Sequence, residues 1–373
     1  MSHHISLATP HMSKEGYELE YVHDAFEKNW VAPLGENVNE FEKAVLSYTG
    51  ACSAVALSAG TAALHLSLIL AGVQKGDTVF CQDLTFSASA NPIVYLGAEP
   101  IFIDSERESW NMDPRALEKA IDLYGVPKAV IPVHLYGNPA KMDEICRICD
   151  HYGIALIEDA AEALGSRYKD KPCGTLGKYG VLSFNGNKII TTSGGGMLLC
   201  EDEKDAKHAL KLATQAREPF PYYQHEEIGY NYRMSNICAG IGRGQMKVLD
   251  RRVRKKQEIY RQYSKELAGL PLTMQPLREH TLSNCWLSSA LLDKNSSRTP
   301  TEVIATLAQN DIEARHLWNP MHRQPVFKEA RFVAVEEHSV ATDLFERGIC
   351  LPSDTKMTED DVDKVCKIIK GLF

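Results

Sequence analysis

Apolar and polar positions follow two alternating periods along the first two hundred residues. Short apolar runs that predict strands are separated by stretches with helical spacing. Two helices precede the first strand, at 13–30 and 39–48, and Ser13 is the predicted N-cap of the first. The predicted strands are 53–57, 78–82, 99–104, 128–134 and 153–157. Alternating strands and helices favour a mainly parallel sheet with helices on both faces, so the pattern predicts an α/β fold.

The pattern changes character near residue 250. The elements predicted in the last third of the chain are a long helical region at 237–266, a strand at 286–292 and helices at 301–309 and 359–369. We predict a large domain over 1–249 and a smaller α+β domain over 250–373.

Lys188 lies between an apolar, strand-like run and a glycine-rich stretch, Gly194 to Gly196. Partial burial at such a place favours the neutral form of a lysine, and a neutral amine can attack an aldehyde. A surface lysine in a hairpin would show the same local pattern. Lys188 therefore indicates a catalytic lysine only if a second group needed for the same reaction is found elsewhere in the chain.

Asp159 supplies that partner. It follows Glu158 at the carboxyl end of the predicted strand 153–157, the edge at which open α/β sheets bind ligands. Pyridoxal phosphate (PLP) requires a lysine to hold its aldehyde and a carboxylate to keep its pyridine nitrogen protonated. Asp159 and Lys188 together predict this cofactor, although Asp159 would also serve as the N-cap of a helix.

A strand-to-helix turn at Gly60 predicts a phosphate site. Thr61 and Ala62 would present free amides at the start of the helix, and helix N-termini bind phosphate through such groups and the helix dipole. Phe86 follows the strand 78–82 and is a candidate for stacking on a planar ring. An ordinary capped helix and a core phenylalanine are the alternative interpretations.

Composition narrows the class of protein. A net charge of −8 argues against nucleic-acid binding, since phosphate contacts depend on a basic surface. No apolar run approaches the roughly 20 residues of a membrane span, and no secretory signal is visible. Ten irregularly spaced cysteines then suggest reduced thiols and a cytoplasmic protein. We expect the pair Cys146 and Cys149 to pack in the core rather than hold a metal. The basic run 251–256 favours a solvated helix face over attraction of an anionic substrate.

The combined motifs resemble the DegT/DnrJ/EryC/StrS family of PLP-dependent sugar aminotransferases. The resemblance spans essentially the whole chain and implies the fold-type I aminotransferase fold, with a large PLP-binding domain and a smaller C-terminal α+β domain. It rests on Gly60-Thr-Ala-Ala-Leu64, Thr85-Phe86, Glu158-Asp159-Ala-Ala161, Ser183-Phe184 with Lys188 five residues after the serine, Gly194-Gly-Gly196 and Gly229-Tyr-Asn-Tyr-Arg-Met234.

The resemblance implies a role for each cofactor residue. Lys188 would hold PLP and shuttle protons, and Asp159 would pair with the pyridine nitrogen. The remaining implied contacts are phosphate contacts from Thr61, Ala62 and Ser183, and a ring stack from Phe86.

The resemblance also implies how substrates bind and how the chain assembles. Asn231 would reach the cofactor phosphate of the neighbouring subunit, so the active unit would be a homodimer with shared active sites. His322 lies in a segment that helps to line the sugar pocket. The diphosphate of a nucleotide-linked keto-sugar also needs positive groups at the mouth of the pocket. Arg315, His322 and the run 251–256 are the candidates by charge, and only His322 has motif support.

Two departures from the family pattern point to a subgroup. Glu162 stands where many members have Gln or His facing the ring hydroxyl, and Ser193-Gly-Gly-Gly196 stands where many read Gly-Glu-Gly-Gly. A buried Glu162 would need a proton or a cationic neighbour. Both departures resemble enzymes that use L-glutamate to aminate UDP-4-keto-6-deoxy-N-acetylglucosamine at C4, for bacillosamine and related surface glycans. A dTDP- or GDP-linked sugar, or amination at C3, is the alternative.

Three rival functions are disfavoured by particular residues. A sugar dehydratase of the same fold has histidine where this chain has Lys188. A Rossmann dehydrogenase would need Gly-x-Gly-x-x-Gly after its first strand, and Ser58-Ala-Gly-Thr-Ala-Ala63 does not match. A non-catalytic regulator of the same fold would not need the intact pair of Lys188 and Asp159.

Overall fold

The computed structural model describes residues 4–373. The strands are β1 (Ser53–Leu57), β2 (Thr78–Gln82), β3 (Glu99–Ile103), β4 (Ala129–Ile131), β5 (Ala155–Asp159), β6 (Arg167–Tyr168), β7 (Lys171–Pro172), β8 (Tyr179–Ser183), β9 (Gly196–Cys200), β10 (Leu272–Met274), β11 (Thr281–Leu282), β12 (Ser288–Leu292), β13 (Arg315–His316), β14 (Arg331–Val333) and β15 (Gly348–Leu351). The helices are α1 (Tyr17–Glu27), α2 (Glu36–Thr49), α3 (Gly60–Leu70), α4 (Asn91–Tyr95), α5 (Pro114–Tyr124), α6 (Met142–Tyr152), α7 (Glu203–Ala213), α8 (Asn236–Met246), α9 (Leu249–Glu266), α10 (Pro300–Gln309), α11 (Val340–Arg347) and α12 (Glu359–Lys370).

Eight strands form one large sheet in the order β1-β9-β8-β5-β4-β2-β3-β14. All pairs from β8 to β14 in that order are parallel, and β9 is antiparallel to both of its neighbours. This sheet confirms the predicted α/β fold with a mainly parallel sheet. The bounds of β1 and β2 match those predicted from the apolar runs.

Helices cover both faces of the large sheet. Successive side chains of a strand point to opposite faces. In β2, Val79 and Cys81 pack in a cluster with residues of α3 and α7, whereas Phe80 packs in a cluster with residues of α5 and α6. At the β1-β9-β8 end of the sheet, α2 and α8 pack on the strands through a third cluster. Helices thus cover the faces of the sheet, and the carboxyl ends of its parallel strands lie at an edge.

A second, antiparallel sheet lies in the last third of the chain. Its order is β10-β12-β15-β13, and α9, α10 and α12 pack against it through one hydrophobic cluster. The strand β14 returns to the large sheet and pairs in parallel with β3. The last third of the chain thus contributes to both sheets, and the division into two domains at residue 250 stays a prediction.

Two helix predictions were wrong in detail. The first helix begins at Tyr17 after Gly16, which has a left-handed φ of 75°. The N-cap position is therefore Gly16 and not Ser13. The Ser13 hydroxyl still contacts the start of the helix, because it accepts the Tyr17 amide at 3.1 Å and donates to the Glu18 carboxylate at 2.6 Å. The predicted region 237–266 is two helices, α8 and α9. Within α8, Gly244 lies close to α1, since a side chain at this position would overlap the backbone of Glu18.

The basic run 251–256 is only partly a solvated face. Arg251 is exposed and pairs with Glu15. Lys256 is 3% exposed and donates to the backbone carbonyls of Trp286 and Ser353, at 2.8 and 2.7 Å. Burial lowers the pKa of Lys256 to about 8. This lysine therefore ties α9 to the loop before β12 instead of attracting a substrate.

Composition led to two expectations, that the cysteines are reduced thiols and that the chain has no membrane span. All ten thiols are free, Cys149 is buried in the core between α5 and α6, and Cys146 is half-buried against the same cluster. Within residues 4–373, no helix has the length and apolar character needed to cross a membrane.

Candidate active site

A cavity of about 400 Å³ opens at the carboxyl ends of the parallel strands. The loops that follow β1, β2, β5 and β8 supply most of its wall. The predicted site residues that line it are Thr61, Phe86, Asp159, Glu162, Ser183 and Lys188. The fold therefore brings residues that are far apart in the sequence around a single space.

The helix α3 begins at the edge of this cavity. Ala63 donates the first i→i−4 hydrogen bond of the helix, so the amides of Gly60, Thr61 and Ala62 precede the helical ladder. Ser183 lies against the turn, because a Cβ added to Gly60 would come within 3.2 Å of the Ser183 Cβ. Free amides, the helix dipole and the nearby hydroxyl groups of Thr61 and Ser183 are groups suited to binding a phosphate.

Asp159 ends β5, and its carboxylate lines the cavity although it is only 5% exposed. The Ser89 hydroxyl donates to Oδ2 at 2.6 Å, and the Ala161 amide donates to Oδ1 at 3.1 Å. The chain continues into turns rather than a helix, so the interpretation of Asp159 as a helix N-cap was wrong. The adjacent Glu158 is fully buried and accepts three backbone amides from the loop before β8. Of these two neighbouring carboxylates, Asp159 faces the cavity and Glu158 binds the backbone of the loop before β8.

Lys188 lies between a carboxylate and an aromatic ring. Its Nζ is 3.7 Å from Glu162 Oε1 and 4.3 Å from the centroid of the Trp286 ring. The Tyr136 amide donates to the other oxygen of Glu162 at 2.7 Å. Burial raises the pKa of Glu162, and the Lys188 ammonium and the Tyr136 amide oppose that shift. Glu162 therefore has the cationic neighbour that a buried carboxylate requires.

Aromatic side chains form a further wall that sequence analysis missed. Trp286 and Trp318 line the cavity. The Tyr136 ring stacks with both, at centroid distances of 6.4 and 6.2 Å, and Phe86 lies 5.4 Å from Trp318. The Tyr136 hydroxyl also accepts the Trp318 amide at 2.9 Å. Phe86 was predicted, but in the sequence Tyr136, Trp286 and Trp318 have the spacing of ordinary core aromatics, so no local signal identifies these three.

Two of the predicted cofactor residues do not line the cavity. Ala62 is buried, and the turn that contains it meets the cavity through Gly60 and Thr61. Asn231 has an exposed side chain whose Oδ1 accepts a hydrogen bond from Gln215 Nε2 at 3.2 Å.

The two predicted substrate residues also lie outside the main cavity. The His322 ring is held by Asp83, with 2.7 Å between Nδ1 and Oδ2, and stacks on Phe332. Arg315 lines a smaller cavity of about 50 Å³. This side cavity shares Trp286 and two other wall residues, Asn187 and Trp318, with the main one. Arg315 is therefore near the main cavity. His322 lines neither cavity and instead packs against Asp83 and Phe332.

The residues present fit PLP. The start of α3 with Thr61 and Ser183 suits the phosphate, and Asp159 offers a fixed carboxylate for the pyridine nitrogen. Phe86 is 53% exposed, so its ring is accessible from the cavity. Lys188 supplies the amine. Four chemically different groups that PLP needs converge here, so the fold and the site define a PLP-dependent enzyme of fold-type I.

Comparison with known proteins identifies the family. The chain matches the DegT/DnrJ/EryC1/StrS aminotransferase family over residues 13–370. It is 51% identical over 375 residues to EpsN of Bacillus subtilis (strain 168), provisionally named as a pyridoxal phosphate-dependent aminotransferase, with 99% of this chain and 96% of EpsN covered. It is 36% identical over 363 residues to the GDP-perosamine synthase of Escherichia coli O157:H7, with 97% of each covered.

A solved structure agrees with this assignment. The crystal structure of a DegT/DnrJ/EryC1/StrS aminotransferase from Brucella abortus superposes with a TM-score of 0.88 at 27% identity, and the match covers 96% of this chain and 95% of the other. The chain belongs to the DegT/DnrJ/EryC1/StrS aminotransferase family. It is a PLP-dependent aminotransferase. This confirms the cofactor that the pair of Asp159 and Lys188 predicted and the activity that the resemblance implied.

Proposed function

We propose that the protein transfers the amino group of L-glutamate to C4 of a nucleotide-linked 4-keto-6-deoxy sugar. The proposed substrate is UDP-4-keto-6-deoxy-N-acetylglucosamine, and the product is UDP-4-amino-4,6-dideoxy-N-acetylglucosamine. The observation that carries the proposal is the convergence of Lys188, Asp159 and the start of α3 on one cavity, in a chain that is similar over its full length to a GDP-perosamine synthase.

Each residue of the site has a defined task in this reaction. Asp159, fixed by Ser89 and Ala161, keeps a proton on the ring nitrogen. Bound PLP supplies an electron-accepting ring that stabilises the charge left when a proton leaves the carbon that carries the amino group. Lys188 is the base that takes the proton from the α-carbon of L-glutamate, and in the second half of the reaction it delivers a proton to C4 of the sugar.

The nucleotide of the proposed substrate is inferred from the sequence. The UDP assignment rests on Glu162 and Ser193, where the chain departs from the commoner family pattern. The similarity to GDP-perosamine synthase favours a GDP-linked sugar as a second candidate. In either case Arg315 is the candidate for the diphosphate, because its exposed side chain lies beside the reacting cavity.

We also propose a homodimer with shared active sites. Asn231 does not line the cavity of its own chain, and its side chain is exposed, so it is available to a second copy. Mixing Lys188→Ala chains with Asn231→Ala chains should restore activity in hybrid dimers, because one of the two sites then has both residues. A monomer with full activity at the assay concentration would contradict this assembly.

The substrate is tested by direct amination. The enzyme is incubated with PLP, L-glutamate and one keto-sugar at a time, linked to UDP, GDP or dTDP, and mass spectrometry follows the amino-sugar and 2-oxoglutarate. We expect the UDP-linked N-acetylated sugar to be aminated most efficiently, with no product from Lys188→Ala. Efficient amination of the GDP- or dTDP-linked sugar instead would overturn the nucleotide assignment and leave the aminotransferase assignment intact.

A further inference from the structure

Trp286 contacts the lysine segment at two points. Its ring lies below the Lys188 amine, with Nζ 4.3 Å from the centroid. Its indole N–H donates to the carbonyl of Asn187, the residue before the lysine, at 2.7 Å. One side chain therefore holds both the amine and the backbone from which the lysine side chain extends.

Trp286 is itself held firmly by the C-terminal part of the chain. It is 1% exposed. Its amide donates to Asn284 Oδ1 at 2.9 Å, and its carbonyl accepts the buried Lys256 ammonium at 2.8 Å. Its ring stacks on Tyr136 at an interplanar angle of 22°. A ring restrained on this many sides can fix the position of a flexible lysine.

We propose that Trp286 is a positioning residue for Lys188. A cation over an aromatic face is attracted by the ring, most strongly by tryptophan. Glu162 faces the same amine, but 3.7 Å is longer than a normal hydrogen bond and fixes no direction. The Trp286 ring therefore keeps the free ammonium beside the reacting carbon between proton transfers. This inference rests on the role of Lys188 and does not depend on which sugar is aminated.

The test measures the glutamate half of the reaction alone, with Trp286→Phe and Trp286→Leu. The matched control is Trp110→Phe, since Trp110 is a buried tryptophan of the same hydrophobic core cluster and lines neither cavity. We expect Trp286→Leu to slow the single-turnover step about 10- to 100-fold, as misplacement of a catalytic group does. The isotope effect with 2-deuterated L-glutamate should rise, and the affinities for PLP and L-glutamate should change little. Trp286→Phe should lie between Trp286→Leu and the wild type.

A second readout uses the enzyme without cofactor. Acylation of Lys188 by a small reagent, followed by peptide mass spectrometry, should become about 3- to 10-fold faster in Trp286→Leu, because the ring no longer holds the ammonium. The exposed Lys207 serves as the internal reference.

One combination of results would overturn the inference. An unchanged isotope effect and unchanged acylation in Trp286→Phe and Trp286→Leu, with a lower Tm or weaker PLP binding, would show that Trp286 only packs. If Trp286→Leu does not fold, the same two readouts on Trp286→Phe decide the question. The role of Lys188 fails separately, if Lys188→Ala retains its turnover.

Discussion

The cavity has two sides of different construction. The side made by the large sheet presents polar groups at the ends of strands, among them Asp159, Ser183 and Lys188. The side made with the C-terminal part presents the aromatic rings of Trp286 and Trp318. The residues of the first side lie at strand ends and in the turns that follow them, whereas the second side is held by stacking and by hydrogen bonds between distant residues.

This difference separates two kinds of recognition. A phosphate and a pyridine nitrogen need charges and donors at fixed places, which strand ends and helix starts provide. A sugar and a mobile lysine need a shaped, water-excluding wall, which large rings provide. We therefore expect substitutions on the sheet side to change cofactor binding and chemistry, and substitutions on the aromatic side to change substrate binding and the position of the lysine.

The largest effect is expected for Lys188→Ala. Among the described residues, Lys188 is the one lysine that lines the cavity, and its loss should lower turnover at least about 1000-fold, because a positioned general base is removed. PLP should still bind without covalent attachment, since the phosphate contacts remain. Lys207→Ala, at an exposed lysine of α7, is the matched control and should behave as the wild type. Turnover close to wild type in Lys188→Ala would show that Lys188 is not the catalytic base.

The second prediction compares adjacent carboxylates on β5. Asp159→Asn should lower kcat about 100-fold, because the ring nitrogen loses its charged partner, and should leave Tm nearly unchanged. Glu158→Gln should instead lower Tm, because Glu158 is buried and accepts three backbone amides. Thermal melts and steady-state kinetics on both variants check this. If Asp159→Asn instead lowers Tm and Glu158→Gln instead lowers kcat, the assignment of the cofactor contact to Asp159 is wrong.

The third prediction pairs one residue from each side. Ser183→Ala should weaken PLP binding about 10-fold, as expected for a lost hydrogen bond to a charged group. Trp318→Leu should raise KM for the keto-sugar roughly 3- to 10-fold, because part of the aromatic wall is removed, and should leave PLP binding unchanged. Cofactor titration and sugar saturation curves separate the two. Equal effects of both variants on both quantities would show that the two sides do not act separately.

The smallest effect concerns the stability of the enzyme without cofactor. Burial raises the pKa of Glu162, so the stability associated with its protonated form is present at low pH and is lost as the pH rises through the folded-state value. Glu162→Gln cannot ionise and lacks this loss. Its Tm should therefore exceed that of the wild type by about 2–4 °C at pH 8, with a smaller gap at pH 5. A lower Tm of the variant at pH 8 would mean that the pairing with Lys188 outweighs burial.

The sequence was informative where chemistry depends on local backbone geometry. Asp159 and Lys188 each follow a recognisable apolar strand. A carboxylate and a lysine at such positions are the pair that PLP requires, so both could be predicted as cofactor residues before the fold was known. The start of α3 was predictable because a glycine turn between a strand and a helix has a distinct pattern. The parallel sheet followed from the alternation of elements.

The sequence was uninformative where function depends on contacts between distant residues. Trp286 has the pattern of any core aromatic, and its contact with Lys188 exists only because α9 and β12 pack beside the large sheet. Lys256 looked like part of a solvated face, since burial of a lysine among backbone carbonyls depends on tertiary packing. Ser89, which fixes Asp159, had no local signal that distinguishes it from an ordinary loop serine.

The central claim is that Lys188 holds the cofactor, and its covalent attachment can be mapped directly. The purified enzyme is loaded with PLP, reduced with borohydride and digested, and the peptides are analysed by mass spectrometry. We predict that the mass of the reduced cofactor is found on the peptide that contains Lys188, with the fragment ions assigning it to that residue. Attachment to a different lysine, or no attachment in an enzyme that turns over, would contradict the account.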